Sequence, residues 1–447
     1  MTRLAVSVMA ALVLGLTGCE QIEQWQDSWR PQTSHEAYLK GLHDAGLAGT
    51  ALSQAWIREA ADAVLEPRDV ELPFREETFI APERPEAVGY RFRLERGQRI
   101  RIGLEIDAED APEVFLDFFR VPADEGDPLR PVQDVEETPE GWVYEPNRGG
   151  DYIVRVQPEL LRGGRFRIDF ELSPALAFPV DSYDTRAIGS VFGDAREGGR
   201  RSHHGVDIFA PRGTPVVASV EGRVTRANVT NLGGKVVWLR DARKGRNVYY
   251  AHLDSQTVRA GTDVGVGDTL GFVGNTGNAI STPPHLHYGI YYRGQGPVDP
   301  FPFLREPRRT LAEIDVDLDR LGTWARVVND GLRLRAAPES GAAVLRELKQ
   351  HTAVRLLAAS GDFYRVELPD GAAGYVSARL TEGVEAPVAE TVAATDTEAR
   401  AHPADGAPVV QFVAAGEALP VLGRFEDFLM VREPSGRRAW VRADTQD

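Results

Sequence analysis

Five of the nine histidines fall between positions 203 and 287, in three pieces: His203-His204-Gly205-Val206-Asp207, then Tyr250-Ala251-His252-Leu253, then His285-Leu286-His287. This gathering constrains the fold more than any other feature, because pieces so far apart in the chain must meet for the groups to act together. Neutral imidazole and carboxylate in such a cluster suit a metal site, and zinc in particular. Gly205 followed by the β-branched Val206 and Ile208 puts the first piece on a turn entering a strand. In a strand, residues two apart point to the same face, so His285 and His287 reach one site while Leu286 packs inward. The surrounding runs Val216-Val217-Ala218, Val236-Val237-Trp238-Leu239, Val248-Tyr249-Tyr250 and Leu270-Gly271-Phe272-Val273 are short, apolar and punctuated by glycine. They predict a compact sheet with tight turns and little helix over residues 178–304.

The rest of the chain divides around this segment into a mainly β, multidomain protein. Apolar positions Tyr38, Leu39, Leu42, then Ala51, Leu52, Ala55 and Trp56 follow a helical period interrupted near Gly46 and Gly49, which predicts a helical hairpin over residues 35–66. His35 and His43 lie there without partners at ligand spacing and read as surface residues. Over residues 70–175 the pattern becomes alternation, as in Tyr90, Phe92, Leu94 and in Phe166, Ile168, Phe170, Leu172, with charges between; this predicts an antiparallel sandwich. Its acidic stretch Glu105 to Glu113 lacks the ligand order of a calcium loop and reads as solvated. A charged connector over residues 305–322 follows the histidine segment. Beyond it lies an internal repeat: Leu332 to Pro338 matches Thr397 to Pro403, and Asp362-Phe363-Tyr364-Arg365-Val366 matches Asp427-Phe428-Leu429-Met430-Val431. Two small β-barrels follow, over residues 324–382 and 390–447. The first resembles bacterial Src-homology-3-like domains and the second is a more diverged copy; the resemblance implies binding of cell-wall peptide, with a spacer role as the alternative. His351 and His402 read as incidental.

Residues 1–18 form a leader in which Arg3 precedes an apolar run from Leu4 to Leu16, too short to span a membrane. Leu16-Thr17-Gly18-Cys19 resembles the bacterial lipobox, which implies diacylglycerol on Cys19; the alternative is an ordinary signal peptide with a chance cysteine. Residues 19–34 then read as a polar tether, with Trp25 and Trp29 placed either at a bilayer interface or against a neighbouring domain. Cys19 is the only cysteine, so no internal disulfide can form and each domain relies on its own core. The formal charge of −16 argues against nucleic acid as a partner. The arginines between Arg196 and Arg246 give the histidine segment a local basic bias that reads as a solvated face or as a patch for substrate carboxylates.

From Ser190-Val191-Phe192-Gly193 to His287 the chain resembles the lysostaphin-type zinc metallopeptidases that cut peptide bonds in peptidoglycan. The resemblance implies that His203, Asp207 and His287 hold zinc, that His252 and His285 stand beside the metal as catalytic residues, and that His204 is not a ligand. Three protein ligands leave a tetrahedral ion one open position, which suits catalysis. Pro283-Pro284 before His285 and Gly289 after Tyr288 depart from the commoner family pattern, where Gly-Pro and an acidic residue are usual. The expected function is a zinc endopeptidase acting on peptidoglycan cross-links or stem peptides from the cell envelope. The expected location is the periplasmic face of the outer membrane, through lipid on Cys19, among envelope protein partners. The competing expectation is a catalytically silent wall-binding lipoprotein that activates or recruits another hydrolase.

Overall fold

The computed structural model describes residues 33–443 apart from Glu125. The leader, Cys19, Trp25 and Trp29 lie outside the described residues. The fold is mainly β, in several sheets. Helices α1 (Ser34–Asp44) and α2 (Ala51–Leu65) open it, each started by a threonine whose hydroxyl accepts a backbone N–H: Thr33 from Glu36, and Thr50 from Ser53. Trp56, Ala60 and Ala63 form the buried stripe of α2. The last of these approaches its neighbouring strand so closely that a Cβ at Gly89 would sit 1.6 Å from the Ala63 carbonyl oxygen.

His35 corrects the sequence reading. It is buried, stacks on Trp56 with ring centroids 4.5 Å apart, and its Nε2 pairs with Gln157 Oε1 at 2.8 Å. Its partner lies 122 residues away, so no local pattern could mark it. His43 is exposed.

The helices lie on a sandwich of seven main strands: β1 (Phe74–Ile80), β2 (Val88–Leu94), β3 (Gln98–Asp107), β4 (Val114–Arg120), β5 (Gly141–Tyr144), β6 (Gly150–Pro158) and β7 (Gly164–Pro174). One sheet has the order β2-β6-β4 at its centre, the other β1-β7-β3-β5. Tyr90, Phe92, Phe118, Ile102, Ile168 and Phe170 fill the space between them.

The histidine segment builds β8 (Val206–Phe209), β9 (Gly222–Thr230), β10 (Gly234–Asp241), β11 (Arg246–Leu253) and β12 (His285–Tyr292). They pair antiparallel in the order β8-β12-β11-β10-β9. Alternation sorts their side chains by face. Ile208, Val237, Leu239, Val248, Tyr250, Leu286, Tyr288 and Ile290 enter the core, where the Ser219 hydroxyl lies 2.8 Å from that of Tyr250 and 2.7 Å from that of Tyr288. The other face is left to Asp207, Trp238, Tyr249, His287 and Tyr291. Arg246, fully buried, ties this domain to the sandwich through Glu145 and to its own Asp241.

The connector is more than a charged linker, since Ile314, Val316 and Leu318 pack on the core of the first barrel. That barrel contains β13 (Trp324–Val327) and β14 (Ala353–Ser360). β14 pairs with sandwich strand β1 through Ala359↔Glu77 and Ala358↔Thr78, so one sheet of twelve strands runs through both domains. The second barrel's six strands lie between Ala389 and Arg442, and its Leu422, Phe425, Phe428, Met430 and Trp440 join the first barrel's core. Among the described residues no helix is long and apolar enough to cross a membrane.

Candidate metal centre

Pairing of β8 with β12 sets Asp207 directly opposite His287. His203, on the turn before β8, closes the triangle: its Nε2 lies 3.0 Å from Asp207 Oδ1 and 2.9 Å from His287 Nδ1, which is itself 3.0 Å from the same carboxylate oxygen. Glycine at 205 is required for this approach, because a Cβ there would lie 2.3 Å from the Tyr288 carbonyl oxygen and 2.9 Å from His287 Cε1.

Backbone carbonyls fix the histidine tautomers. A carbonyl only accepts, so the His203 Nδ1–H donates to Val191 O at 2.8 Å, that of His252 to Thr276 O at 2.9 Å, and that of His285 to Pro283 O at 2.9 Å. Each neutral ring therefore keeps a lone pair on Nε2. His285 Nε2 lies 4.0 Å from Asp207 Oδ1, and the His252 ring centroid is 5.0 Å from that of His285 and 5.9 Å from that of His287. His252 reaches the site through a left-handed backbone, φ 62°, which turns it off the end of β11 while its N–H bonds to Gly233 O at 2.7 Å. Strain of this kind costs about 1–3 kcal/mol and concentrates at functional sites.

His203, Asp207 and His287 thus form a donor set that can hold a metal ion. Tetrahedral zinc, with ligand bonds of about 2.0–2.2 Å, separates its donors by roughly 3.3 Å. The triangle here needs only a slight opening to admit it, and two imidazoles with one carboxylate are the right chemistry. Burial works to raise the Asp207 pKa, but the His203 and His287 imidazoles against it overcome that and hold the carboxyl far below its usual range. Burial, helped by the charges of His285 and His287, pulls His252 down to about 4, and burial also lowers His287. All these groups are then in their metal-binding or proton-accepting forms at neutral pH.

Two features of the site are not evident from the sequence. Arg196 Nη2 bonds Asp207 Oδ2 at 2.7 Å and Ser190 Oγ at 2.6 Å, so the carboxylate is held from behind. An aromatic shelf also continues the site along the sheet: Tyr249 lies 5.9 Å from His287, Trp238 4.4 Å from Tyr249, and Tyr291 5.2 Å from Trp238. Tyr291 follows His287 by four residues on one strand face, a relation that period-two reading can find. Gly289 between them leaves room for that ring, which a Cβ would approach to 3.0 Å. His204 is exposed and outside the donor set.

Convergent donors on one face of an antiparallel sheet, with two further histidines beside them, define a metallopeptidase-type centre. Residues 201–300 match peptidase family M23 and residues 330–382 match the bacterial SH3 domain; the chain carries a lysostaphin-type M23 peptidase domain in the first and a bacterial SH3 domain in the second. The L-Ala--D-Glu endopeptidase of Bacillus subtilis (strain 168) is 38% identical over 140 residues, 29% of this chain and 43% of that protein. The DD-carboxypeptidase/endopeptidase Mpg of Neisseria meningitidis serogroup B (strain ATCC 13091 / M2091) is 44% identical over 100 residues, 22% of each chain. The catalytic domain of the antimicrobial peptidase lysostaphin from Staphylococcus simulans is 33% identical, covering 26% of this chain and 90% of that one, with a TM-score of 0.24. The chain spans less than half the length of the curated relatives it matches.

Proposed function

We propose that this protein is a zinc-dependent endopeptidase that hydrolyses peptide bonds in peptidoglycan cross-links or stem peptides. The observation that carries this reading is the convergence of His203 Nε2, Asp207 Oδ1 and His287 Nδ1 within 3.0 Å of one another. His203, Asp207 and His287 would hold the ion. When bound there, zinc supplies Lewis acidity, which acidifies water and polarises a carbonyl. His252 and His285, each with its Nδ1–H held by a backbone carbonyl and its Nε2 free, are placed to take the proton of the attacking water and return it to the leaving amine. The same rings, once protonated, stabilise charge developing on the scissile carbonyl oxygen. The aromatic shelf offers a flat surface against which an extended peptide can lie beside the reacting groups.

The intact donor set favours hydrolysis over the silent-activator reading. Purified protein mixed with isolated wall, with and without added zinc, tests the proposal: new amine termini are expected with zinc, and their absence in both arms overturns it. Mass spectrometry of fragments from defined muropeptides identifies the bond. In the cell envelope, lipid on Cys19 would tether the enzyme to a membrane facing the wall, the outer membrane by preference, since Glu20 follows Cys19 in place of the aspartate associated with inner-membrane retention. Globomycin-sensitive processing and palmitate labelling lost in Cys19→Ser check that part.

A further inference from the structure

The open face of the peptidase sheet continues past the metal centre in ordered rows, because antiparallel pairing sets its outward residues side by side. One row beyond His287, Gly289, Tyr249, Trp238 and Arg226 stand across β12, β11, β10 and β9; in the next row stand Tyr291, Asn247 and Arg240. Both rows run from aromatic or glycine positions toward arginine. Arg226 and Arg240 are exposed and make no hydrogen bond or ion pair among the described residues, whereas Arg223, across from Arg240, pairs with Asp263 at 3.6 Å. The four strands contain one acid, Asp241, and it is buried against Arg246. Position 289, where the commoner family pattern has an acid, is glycine, and the Tyr291 ring lies against the space a side chain there would need.

We propose that this face selects acidic substrates: a cross-linked stem peptide with a free carboxylate lying over these rows is favoured, and the same peptide amidated is a poor substrate. The inference rests on the endopeptidase reading and adds the substrate class to it. With strands about 4.8 Å apart and a rise of about 3.4 Å per residue, the Cα atoms of Arg226 and Arg240 each stand about 16 Å from that of His287. Their long side chains then meet an acid about four extended residues from the bond that is cut. Guanidinium offers a carboxylate planar, two-pronged donors. The Trp238 and Tyr249 rings, with centroids 4.4 Å apart, give the intervening peptide an apolar floor. The chain as a whole repels anions at a formal charge of −16, so a preference for the acid form is local to these rows. Standing away from the reacting groups, the two arginines hold substrate without entering the chemistry.

A cross-linked muropeptide dimer with free carboxylates, and the same dimer amidated, test this on the zinc-loaded full-length protein. The expected kcat/KM is about tenfold lower for the amidated dimer, through KM. Arg226→Gln with Arg240→Gln should lower the acid dimer by about the same factor and leave the amidated one unchanged. Arg226→Glu with Arg240→Glu should reverse the preference, and since both positions are exposed the melt stays that of the parent. Equal kcat/KM for the two dimers, or double variants that keep the parent's preference, would overturn the assignment. Cleavage of neither dimer would count instead against the endopeptidase reading, and fluorescence anisotropy of the two dye-labelled dimers on zinc-free His287→Ala protein then decides. Tighter binding of the acid dimer, lost in the arginine variants, is expected there, and equal binding overturns the role of this face.

Discussion

The metal centre and the seam between the sandwich and the first barrel both gather ionisable groups from distant parts of the chain and bury them, yet they are built on opposite plans. At the seam, Glu76 is completely buried and both of its oxygens are taken: Oε2 by Arg68 at 2.7 Å and the Tyr90 hydroxyl at 2.8 Å, Oε1 by the Tyr375 hydroxyl at 2.8 Å with Arg365 at 3.7 Å. Donors meet acceptors around the carboxylate, and Arg365 adds its charge without a hydrogen bond from Nε. At the metal centre, acceptor faces acceptor, with lone pairs of His203 and a carboxylate oxygen of Asp207 directed at a common point. A paired network serves the fold, whereas an arrangement of mutually repelling lone pairs is stabilised only by a cation placed among them.

The comparison is sharpened most by substitutions that separate activity from stability. His287→Ala should remove all measurable turnover and bound zinc, read by atomic absorption and muropeptide digestion, while leaving the melting temperature of the metal-free protein nearly unchanged. Glu76→Gln should do the reverse. It leaves the buried Arg365 and the half-buried Arg68 without their anion, at a cost of about 3 kcal/mol in urea unfolding, with turnover per folded molecule retained. An inactive but fully stable Glu76→Gln protein would break the distinction.

Arg196 stands between the two plans, because it pairs as the seam residues do but acts on a metal-site carboxylate. Arg196→Gln should weaken zinc affinity by about 10–100-fold, as loss of an outer-shell partner does, with turnover largely recovered at saturating zinc. A competition titration against a chelator reads the affinity directly. Unchanged affinity would place Arg196 with the structural residues.

How much of this was legible from sequence follows from the range of each relation. Period-two alternation and glycine punctuation reveal strands, helical spacing reveals α1 and α2, and the common face of His285 and His287 is a relation between residues two apart. The opposition of Asp207 and His287 depends on which strands pair across 80 residues, a tertiary fact reached in advance only through family resemblance. The left-handed backbone at His252 has no local signature, since the enrichment of histidine at positive φ is too small to single out one position. Arg196 looks like any surface arginine until the loop that carries it is folded. Continuity of the sandwich sheet into the first barrel is equally invisible, because edge strand β1 carries no mark of its partner β14.

His35 extends the comparison to a histidine buried with no metal role, and carries the smallest expected effect. Burial, reinforced by the positive charge of Arg155 and only partly countered by Asp117 and Gln157, lowers its pKa from 6.5 to about 4. Between those values the unfolded chain binds a proton that the folded chain refuses, so stability rises with pH across the window. The contribution is complete above pH 6.5 and is lost as pH falls toward 4. By pH 6 the loss is about 1 kcal/mol by this linkage. Hydrogen exchange should show α1 and its contacts with Phe115 and Trp56 opening more readily at pH 5.5 than at pH 7.5, while β12 stays protected. His35→Gln should flatten that pH dependence. If α1 protection is the same at both pH values in the parent protein, the stacked imidazole is already protonated and the seam-like character assigned to it is wrong.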